Sequence, residues 1–142
     1  MRAELETNFF GPLLLTRAFA PTLARNGGGA VINLLSVLSW VSFPAFSTYC
    51  ASKSAAWSLS NGLRHELREQ GTQVLALHVG YMDTDMVRNI TAPKSNPDDV
   101  VRQTLAALEA GKQEILADEA SRRVKQGLSA EPGVYLAQAA AA

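Results

Sequence analysis

Three side chains that could carry out proton transfer lie close together in the sequence. They are Ser36, Tyr49 and Lys53, and the tyrosine and the lysine stand at positions i and i+4. On a helix this spacing puts both side chains on one face, so that an ammonium group lies beside a phenol. A free phenol has a pKa of about 10, and a neighbouring cation lowers it. We therefore predict that Tyr49 acts as a general acid or base, while the Ser36 hydroxyl orients the same substrate oxygen.

A tyrosine and a lysine at this spacing are also common on helices that have no catalytic role. The wider pattern distinguishes the two interpretations, because the segment reads S-x12-Y-C-A-S-K. This segment resembles the active site of the classical short-chain dehydrogenase/reductase family. The resemblance implies an oxidoreductase that passes hydride between a nicotinamide cofactor and a secondary alcohol or ketone. It also implies that Lys53 lowers the pKa of Tyr49 and holds the cofactor ribose.

A helix is predicted over residues 2–25, because apolar side chains recur there at helical spacing. Pro12 lies inside it and has no N–H group, so the carbonyl of Asn8 loses its helical partner and a kink is expected. Such a kink can be a simple packing bend, or its free carbonyl can bind a water. The family resemblance implies the second role, in which Asn8 completes a catalytic tetrad and its carbonyl holds a water in a proton relay to Lys53.

The segment after a second predicted strand, V-G-Y-M-D-T from Val79, resembles the family motif P-G-x-x-x-T. In that motif the backbone and the threonine hold the nicotinamide carboxamide. Val79 replaces the proline, while the glycine and the threonine are kept. The resemblance implies that Gly80, Met82 and Thr84 bind NAD or NADP together with the tyrosine and the lysine. Gly80 serves mainly to shape the turn.

The order of the predicted elements is typical of an α/β protein. Buried strands are predicted at 30–35, 73–78 and 114–117, and helices at 2–25, 47–70, 97–110 and 118–128. Strands that alternate with helices form parallel sheets, in which ligands bind at the carboxyl ends of the strands. Ser36 follows the first strand and falls at that edge. Together with the resemblance, this order predicts the carboxyl half of a doubly wound parallel, Rossmann-like sheet of about three strands with flanking helices.

A dinucleotide site of this type needs a strand, a glycine-rich turn and a helix N-terminus for the pyrophosphate, with an acidic or basic residue on the next strand to select NAD or NADP. The sequence contains no such arrangement, since its glycine run at 27–29 follows a helix instead. We therefore predict that residues 1–142 form a single partial NAD(P)-binding domain without its N-terminal glycine-rich half, ending in a flexible tail at 130–142. Without that half, the isolated chain is expected to be inactive. The strand at 30–35 would also keep an unpaired apolar edge, so the chain is expected to be marginally stable or oligomeric.

The composition excludes several classes of function. Lysine plus arginine equals aspartate plus glutamate, at 13 each, so no positive excess favours nucleic acid or an anionic membrane as a partner. The single cysteine, Cys50, can form neither an intramolecular disulfide nor a metal site of its own. No apolar run approaches the roughly 18 residues of a membrane span, which predicts a cytoplasmic protein.

The two long predicted helices also indicate an oligomer. One face of the helix at 47–70 carries only small residues, and such a surface can pack closely against another helix. In the resembling family, the helices that match 2–25 and 47–70 form a dimer interface. A homo-oligomer that acts on a small-molecule alcohol or carbonyl substrate is therefore expected. The small residues are Ala51, Ala55, Ser58 and Gly62.

Two other functions are compatible with parts of the sequence. The chain could be a truncated, non-catalytic interaction protein that binds a full-length relative through its helix pair, although the presence of all four tetrad residues argues against lost activity. It could also be a serine hydrolase that uses Ser36 with a histidine or with Lys53. This third hypothesis ranks last, because the sequence has no G-x-S-x-G elbow and only 2 histidines, neither in a triad-like context.

Overall fold

The computed structural model describes residues 1–136 and contains one sheet of three parallel strands with helices packed on both faces. The strands are β1 (Gly29–Leu34), β2 (Thr72–His78) and β3 (Glu114–Leu116), and the helices are α1 (Arg2–Leu5), α2 (Gly11–Arg25), α3 (Ser47–Glu66), α4 (Pro97–Glu109) and α5 (Glu119–Gly127). The predicted α/β fold is confirmed. Part of the tail predicted at 130–142 lies outside the described residues, and within them Val134 packs against Gly127 at the end of α5.

The strands lie in the order β1-β2-β3, and each neighbouring pair is parallel. Ile32 of β1 pairs with Leu75 of β2, and the pairing continues past the strand ends, where the Val37 N–H donates to the Val79 carbonyl at 3.3 Å. Parallel neighbours arise when each connecting helix crosses back over the sheet. The residues that follow β1 and β2 therefore lie side by side at one edge, which is the edge where the sequence places Ser36.

The central strand β2 packs against helices on both of its faces. Val74 lies in a cluster with Leu63 and Leu67 of α3, whereas Leu77 lies in a separate cluster with Val100 of α4. Successive side chains of a strand point to opposite faces, so residues an odd number apart meet different helices. The strand is buried almost throughout, as predicted.

β1 is less buried than predicted. The sequence predicts a fully buried strand at 30–35, but Ile32 is 40% exposed and Leu34 is 49% exposed. That prediction is wrong because β1 pairs with β2 on one side only and lies at the edge of the sheet. The expected unpaired apolar edge is therefore present. Val101 and Leu105 of α4 are also half-exposed beside it, and together with β1 they line a shallow apolar groove.

The first helix contains a π turn at Glu6–Phe10, where the sequence predicts a kink. The Gly11 N–H donates to the carbonyl of Glu6, five residues back, so the backbone widens for one turn and then continues as α2. A wider turn leaves room for Pro12, which cannot donate a hydrogen bond and crowds the turn before it. The single helix predicted at 2–25 is therefore corrected to α1, a π turn and α2.

The helix ends follow the local sequence signals. Asn96 Oδ1 accepts the Asp98 N–H at 2.8 Å and caps the start of α4. α3 ends at Glu66, earlier than the predicted end near Gln70. Gly71, at a φ of +71°, then turns the chain into β2, and a residue with a side chain would be strained in this conformation.

Candidate active site

Ser36 lies at the carboxyl end of β1 and begins the turn Val37–Ser39. Its hydroxyl oxygen accepts the Leu38 N–H at 3.1 Å, and its own N–H donates to Ser39 Oγ at 3.4 Å. Ser54 of α3 donates to the Ser39 carbonyl at 2.8 Å and ties this turn to the helix. Because the Ser36 hydroxyl oxygen accepts a hydrogen bond from the backbone, its own proton is left to donate to another oxygen.

Tyr49 and Lys53 lie near the start of α3, about one helical turn apart, as their spacing predicts. Lys53 Nζ is 5.8 Å from the centroid of the Tyr49 ring. The same ammonium group donates a hydrogen bond to the carbonyl of Leu34 at 2.9 Å, at the end of β1. The structure therefore brings the tyrosine, the lysine and the end of β1 together at one edge of the sheet.

The pKa of the Tyr49 phenol is raised and not lowered, so the prediction for this group is wrong in its direction. Burial has the largest effect, the neighbouring Cys50 raises the pKa further, and the Ser36 side chain lowers it. None of these effects comes from Lys53, whose ammonium lies 5.8 Å from the ring centroid and bonds to a backbone carbonyl. Burial also lowers the pKa of Lys53 itself. Tyr49 is thus a protonated phenol at neutral pH in this structure.

Asn8 lies in the π turn and is bonded to α3 through its side chain. Its Nδ2 donates to Ser52 Oγ at 2.9 Å, and this hydroxyl donates to the carbonyl of Tyr49 at 2.7 Å. All four residues of the predicted tetrad therefore lie on α3 or on segments that contact it. The water relay through the Asn8 carbonyl stays a prediction.

One comparison with known proteins decides the family. A model of the short chain dehydrogenase family matches residues 1–95, which include all four of these side chains. The chain belongs to the short-chain dehydrogenase/reductase family. Among its relatives is dehydrogenase/reductase SDR family member 7B of Danio rerio, which is 32% identical over 149 residues that cover 95% of this chain and 46% of the relative.

Solved short-chain dehydrogenases share the fold. One from Burkholderia cenocepacia J2315, in complex with NADP, is 41% identical with a TM-score of 0.86, and the match covers 92% of this chain and 55% of the other. Another from Sphingobium yanoikuyae, in complex with NADPH, is 25% identical with a TM-score of 0.72, and the match covers 94% and 56% of the two chains. This chain thus spans about half the length of these short-chain dehydrogenases.

The second short-chain dehydrogenase motif follows β2 as predicted, but its glycine has a local structural reason. The Gly80 N–H donates to Asp118 Oδ2 at 2.7 Å, and a Cβ atom at this position would lie 3.0 Å from the same oxygen. The close approach of Asp118 therefore favours a glycine here, whether or not a ligand binds. Met82 is partly buried against the core, and Thr84 is exposed at the start of the next turn. Cofactor contacts by these residues stay predictions.

A buried polar cluster behind Ser36 is not among the predicted site residues. His78, the last residue of β2, is fully buried, and its ring stacks on Trp40 at a centroid distance of 3.9 Å. Its Nδ1 lies 3.4 Å from the carbonyl oxygen of Ser36, and its Nε2 lies 3.2 Å from Glu114 Oε1. Lys125 of α5 binds the other carboxylate oxygen at 2.9 Å. The sequence signal for this cluster is a histidine that ends an otherwise apolar strand.

This cluster supports Ser36 and does not activate it. The pKa of Glu114 is lowered to about 2, chiefly by its contact with His78, while burial opposes this effect and Lys125 adds to it. The imidazole faces the carbonyl of Ser36 and not its hydroxyl, which accepts the Leu38 N–H instead. His78 is therefore not placed to take a proton from the Ser36 hydroxyl, as the base of a serine hydrolase must.

No helix within residues 1–136 combines the length and apolar character needed to cross a bilayer. The same residues contain no group of three or more histidine, cysteine, aspartate or glutamate side chains that could hold a metal ion.

Proposed function

We propose that this protein is an NAD(P)-dependent oxidoreductase that transfers hydride between a nicotinamide cofactor and a secondary alcohol or ketone. The observation that carries the proposal is the meeting of Ser36, Tyr49 and Lys53 at the carboxyl edge of the sheet, with Asn8 bound to the same helix. Ligands of doubly wound sheets bind at this edge. Membership of the family supports the proposal, as do the two solved relatives, which contain NADP and NADPH.

Lys53 has the donors that a cofactor ribose needs. An ammonium group carries three protons, and the bond to the end of β1 uses one of them. Two donors are therefore left for hydroxyl groups placed beside the Tyr49 ring. The exposed hydroxyl of Thr84 would hold the nicotinamide carboxamide, with the backbone of Gly80 and Met82 lining the same turn. When bound, the nicotinamide ring would supply or accept the hydride.

Tyr49 and Ser36 would act on the substrate oxygen. The Ser36 hydroxyl has its own proton available, so it can donate to a carbonyl oxygen and hold it near the phenol. Tyr49 is protonated at neutral pH, as an ordinary phenol is, and this state can donate a proton to a carbonyl oxygen during reduction. Burial raises its pKa and makes it a weaker acid than a free tyrosine. Oxidation of an alcohol needs the ionised phenol, and the Ser36 side chain favours that form.

The rest of the cofactor site is assigned to residues outside this chain. Its 142 residues contain no glycine-rich turn between a strand and a helix to bind the pyrophosphate, and the residue that selects NAD or NADP would follow that turn. We propose that a further half-domain covers the exposed edge of β1 and completes the site. The isolated chain would accordingly be inactive.

The proposal includes a cytoplasmic homo-oligomer formed through residues 2–25 and 47–70. On α3, Ser58 and Gly62 are exposed, so a neighbouring helix could approach closely there. On α2, Phe19 is 59% exposed and offers apolar surface to such a neighbour. Burial of this side chain in an oligomer would favour association.

The alternatives are less well supported. An exposed β1 edge is expected both of an interaction protein and of part of an enzyme. The edge therefore does not distinguish the two hypotheses. The names of the relatives, which are dehydrogenases and reductases, favour the enzyme. The hydrolase hypothesis loses its histidine base, because His78 faces a backbone carbonyl and His65 is exposed on α3. Lys53, the other candidate base, donates a hydrogen bond to the Leu34 carbonyl.

The test starts from the intact mass of the protein in its natural source, compared with the 15.2 kDa of this chain. That full protein is then mixed with NADH or NADPH and a panel of ketones, and the absorbance of the reduced nicotinamide is followed. Turnover that is lost in Tyr49→Phe and kept in Tyr135→Phe, at a tyrosine that is 56% exposed, is the expected result. Equal turnover in Tyr49→Phe and the wild type would overturn the proposal.

A further inference from the structure

A buried serine on α3 connects two residues of the proposed site. Ser52 is fully buried, accepts a hydrogen bond from Asn8 Nδ2 at 2.9 Å and donates one to the Tyr49 carbonyl at 2.7 Å. We propose that Ser52 is a positioning residue that fixes Asn8 and the first turns of α3 relative to each other. This inference rests on the proposed function, in which Asn8 and Tyr49 act together.

The Ser52 hydroxyl acts in these contacts both as a hydrogen-bond donor and as an acceptor. A serine hydroxyl has one proton, which is directed to the Tyr49 carbonyl, and its oxygen accepts the amide proton of Asn8. Ser52 has no exposed surface, so water does not compete for either bond. Removal of the hydroxyl would therefore release the Asn8 side chain from α3.

The link joins segments that are far apart in the sequence. Asn8 lies in the π turn, and 44 residues separate it from Ser52. In an α-helix the Tyr49 carbonyl also accepts the Lys53 N–H, so the hydroxyl bonds to the same helical turn that carries the phenol and the ammonium. One hydroxyl thus connects three of the four tetrad residues without touching the substrate position.

The chain contains a matched control two turns further along α3. Ser60 is also fully buried, accepts a hydrogen bond from Asn33 Nδ2 at 2.9 Å and donates one to the Ala56 carbonyl at 2.8 Å. The contacts have the same chemistry and nearly the same lengths, but they join β1 to the middle of α3. Ser60→Ala therefore removes an equivalent pair of bonds without touching Asn8 or Tyr49.

The test compares Ser52→Ala with Ser60→Ala in the full protein, using the best ketone and nicotinamide from the panel. We expect similar losses of Tm, because equivalent buried contacts are removed. Misplacement by about 1 Å can slow an enzyme by about a hundredfold, so a partial release of Asn8 should lower kcat of Ser52→Ala by about tenfold, with KM changed less than about twofold. The pH profile of kcat should also shift in Ser52→Ala. Ser60→Ala should keep the wild-type kcat and the wild-type pH profile. Equal kcat values in the two variants would overturn the inference.

A second readout does not depend on turnover. In isotopically labelled protein, the side-chain amide protons of Asn8 should exchange with solvent faster in Ser52→Ala and at an unchanged rate in Ser60→Ala. Unchanged exchange in Ser52→Ala would also overturn the inference. If Ser52→Ala does not fold, Ser52→Cys replaces it, because a thiol is similar in shape but a weak hydrogen-bond donor.

Failure of the proposed function would look different from failure of this inference. If Tyr49→Phe is as active as the wild type, the proposed function is wrong, whatever the serine variants do. An inactive Tyr49→Phe together with Ser52→Ala and Ser60→Ala of equal kcat would leave the function in place and remove only the role of Ser52.

Discussion

Lys53 donates a hydrogen bond from its ammonium group to the carbonyl of Leu34, 2.9 Å away. The bond fastens a helix side chain to the end of β1, next to Ser36. It holds the ammonium 5.8 Å from the centroid of the Tyr49 ring, and burial at this position lowers the pKa of Lys53. The position of the lysine is therefore set by the sheet as well as by its own helix.

Lys53→Met should change how stability depends on pH. The folded pKa of Lys53 lies below its unfolded value of 10.5, so the unfolded chain binds more protons between these two values. Below the folded pKa, the buried ammonium of Lys53 is charged and lowers the free energy of unfolding by its full amount. This destabilisation disappears as the pH rises from the folded pKa toward 10.5. The change in unfolding free energy from pH 7 to pH 10, measured with urea, should therefore be more favourable for the wild type than for Lys53→Met. Lys112→Met, at an exposed site, is the control, and identical pH dependence in all three proteins would contradict this account.

The Tyr49 phenol should ionise at a higher pH than a free tyrosine, because burial raises its pKa above 10.0. The difference in phenolate absorbance between the wild type and Tyr49→Phe separates this group from Tyr81 and Tyr135. Ser36→Ala should move the titration still higher, since the Ser36 side chain lowers this pKa. Ser58→Ala, at an exposed position of α3, should leave it in place. If the Tyr49 phenol ionised at a lower pH in Ser36→Ala than in the wild type, the contact with Ser36 would not favour the phenolate.

Glu114→Gln should remove a contribution to stability that depends on pH. The pKa of this carboxyl falls from 4.5 to about 2, chiefly through its contact with His78. A lowered folded pKa stabilises the fold above the unfolded value, and this stabilisation is lost as the pH falls from 4.5 toward 2. The group is partly exposed, so we expect about 1–2 kcal/mol after solvent screening.

Thermal unfolding at pH 7 and pH 3 checks this expectation. The loss of Tm on acidification should be smaller in Glu114→Gln than in the wild type. Glu119→Gln is the control, because its carboxylate pairs with Arg122 on the exposed surface of α5. The same loss in Glu114→Gln as in the wild type would rule out Glu114 as a source of acid sensitivity.

Gly80→Ala should lower the free energy of unfolding by about 1–3 kcal/mol, because overpacking displaces neighbouring groups. The new Cβ would lie 3.0 Å from Asp118 Oδ2 and 3.4 Å from the Cβ of Ala120, at the start of α5. Gly62→Ala is a matched control, since no atom lies within 4 Å of its Cβ position and a helix favours alanine over glycine by about 0.5–1 kcal/mol. Urea midpoints should fall in the first variant and rise in the second. Unchanged midpoints would show that Asp118 moves aside freely.

The isolated chain should associate through the open edge of β1, because unpaired edge strands pair with other chains. Leu34 is 49% exposed there, and Leu34→Lys should shift sedimentation toward a 15.2 kDa monomer. Met86→Lys should leave the sedimentation unchanged, because this side chain is 87% exposed in the 3-10 turn Asp85–Val87, away from β1 in the sequence. A wild-type chain that sediments as a monomer and melts cooperatively would defeat this prediction.

Most of the elements and the approach of Tyr49 to Lys53 could be predicted because their signals are local. Asn96 and Pro97 mark the start of α4, and the end of β1 at Leu34, two residues before Ser36, follows from a short apolar run. Tyr49 and Lys53 share a helix, so their common face follows from their spacing alone. The family motif then distinguishes this pair from an ordinary helical pair.

The properties that could not be predicted depend on contacts between distant segments. The raised pKa of Tyr49 depends on burial and on the choice of Leu34 as the partner of Lys53. The His78 cluster forms only when β3 brings Glu114 to the end of β2. The exposure of β1 depends on which strand lies beside it, and nothing in the strand's own residues reports that.

Both tryptophans of the chain stand beside the turn that carries Ser36. Trp40 and Trp57 are in edge-to-face contact with centroids 6.2 Å apart, and Trp40 also stacks on His78. Because the sequence has only 2 tryptophans, all tryptophan fluorescence of the chain comes from this corner. The protein therefore carries its own optical probe of the turn that holds Ser36, while circular dichroism reports helices throughout the chain. A change in emission that precedes the loss of helix would show that this corner opens before the fold is lost.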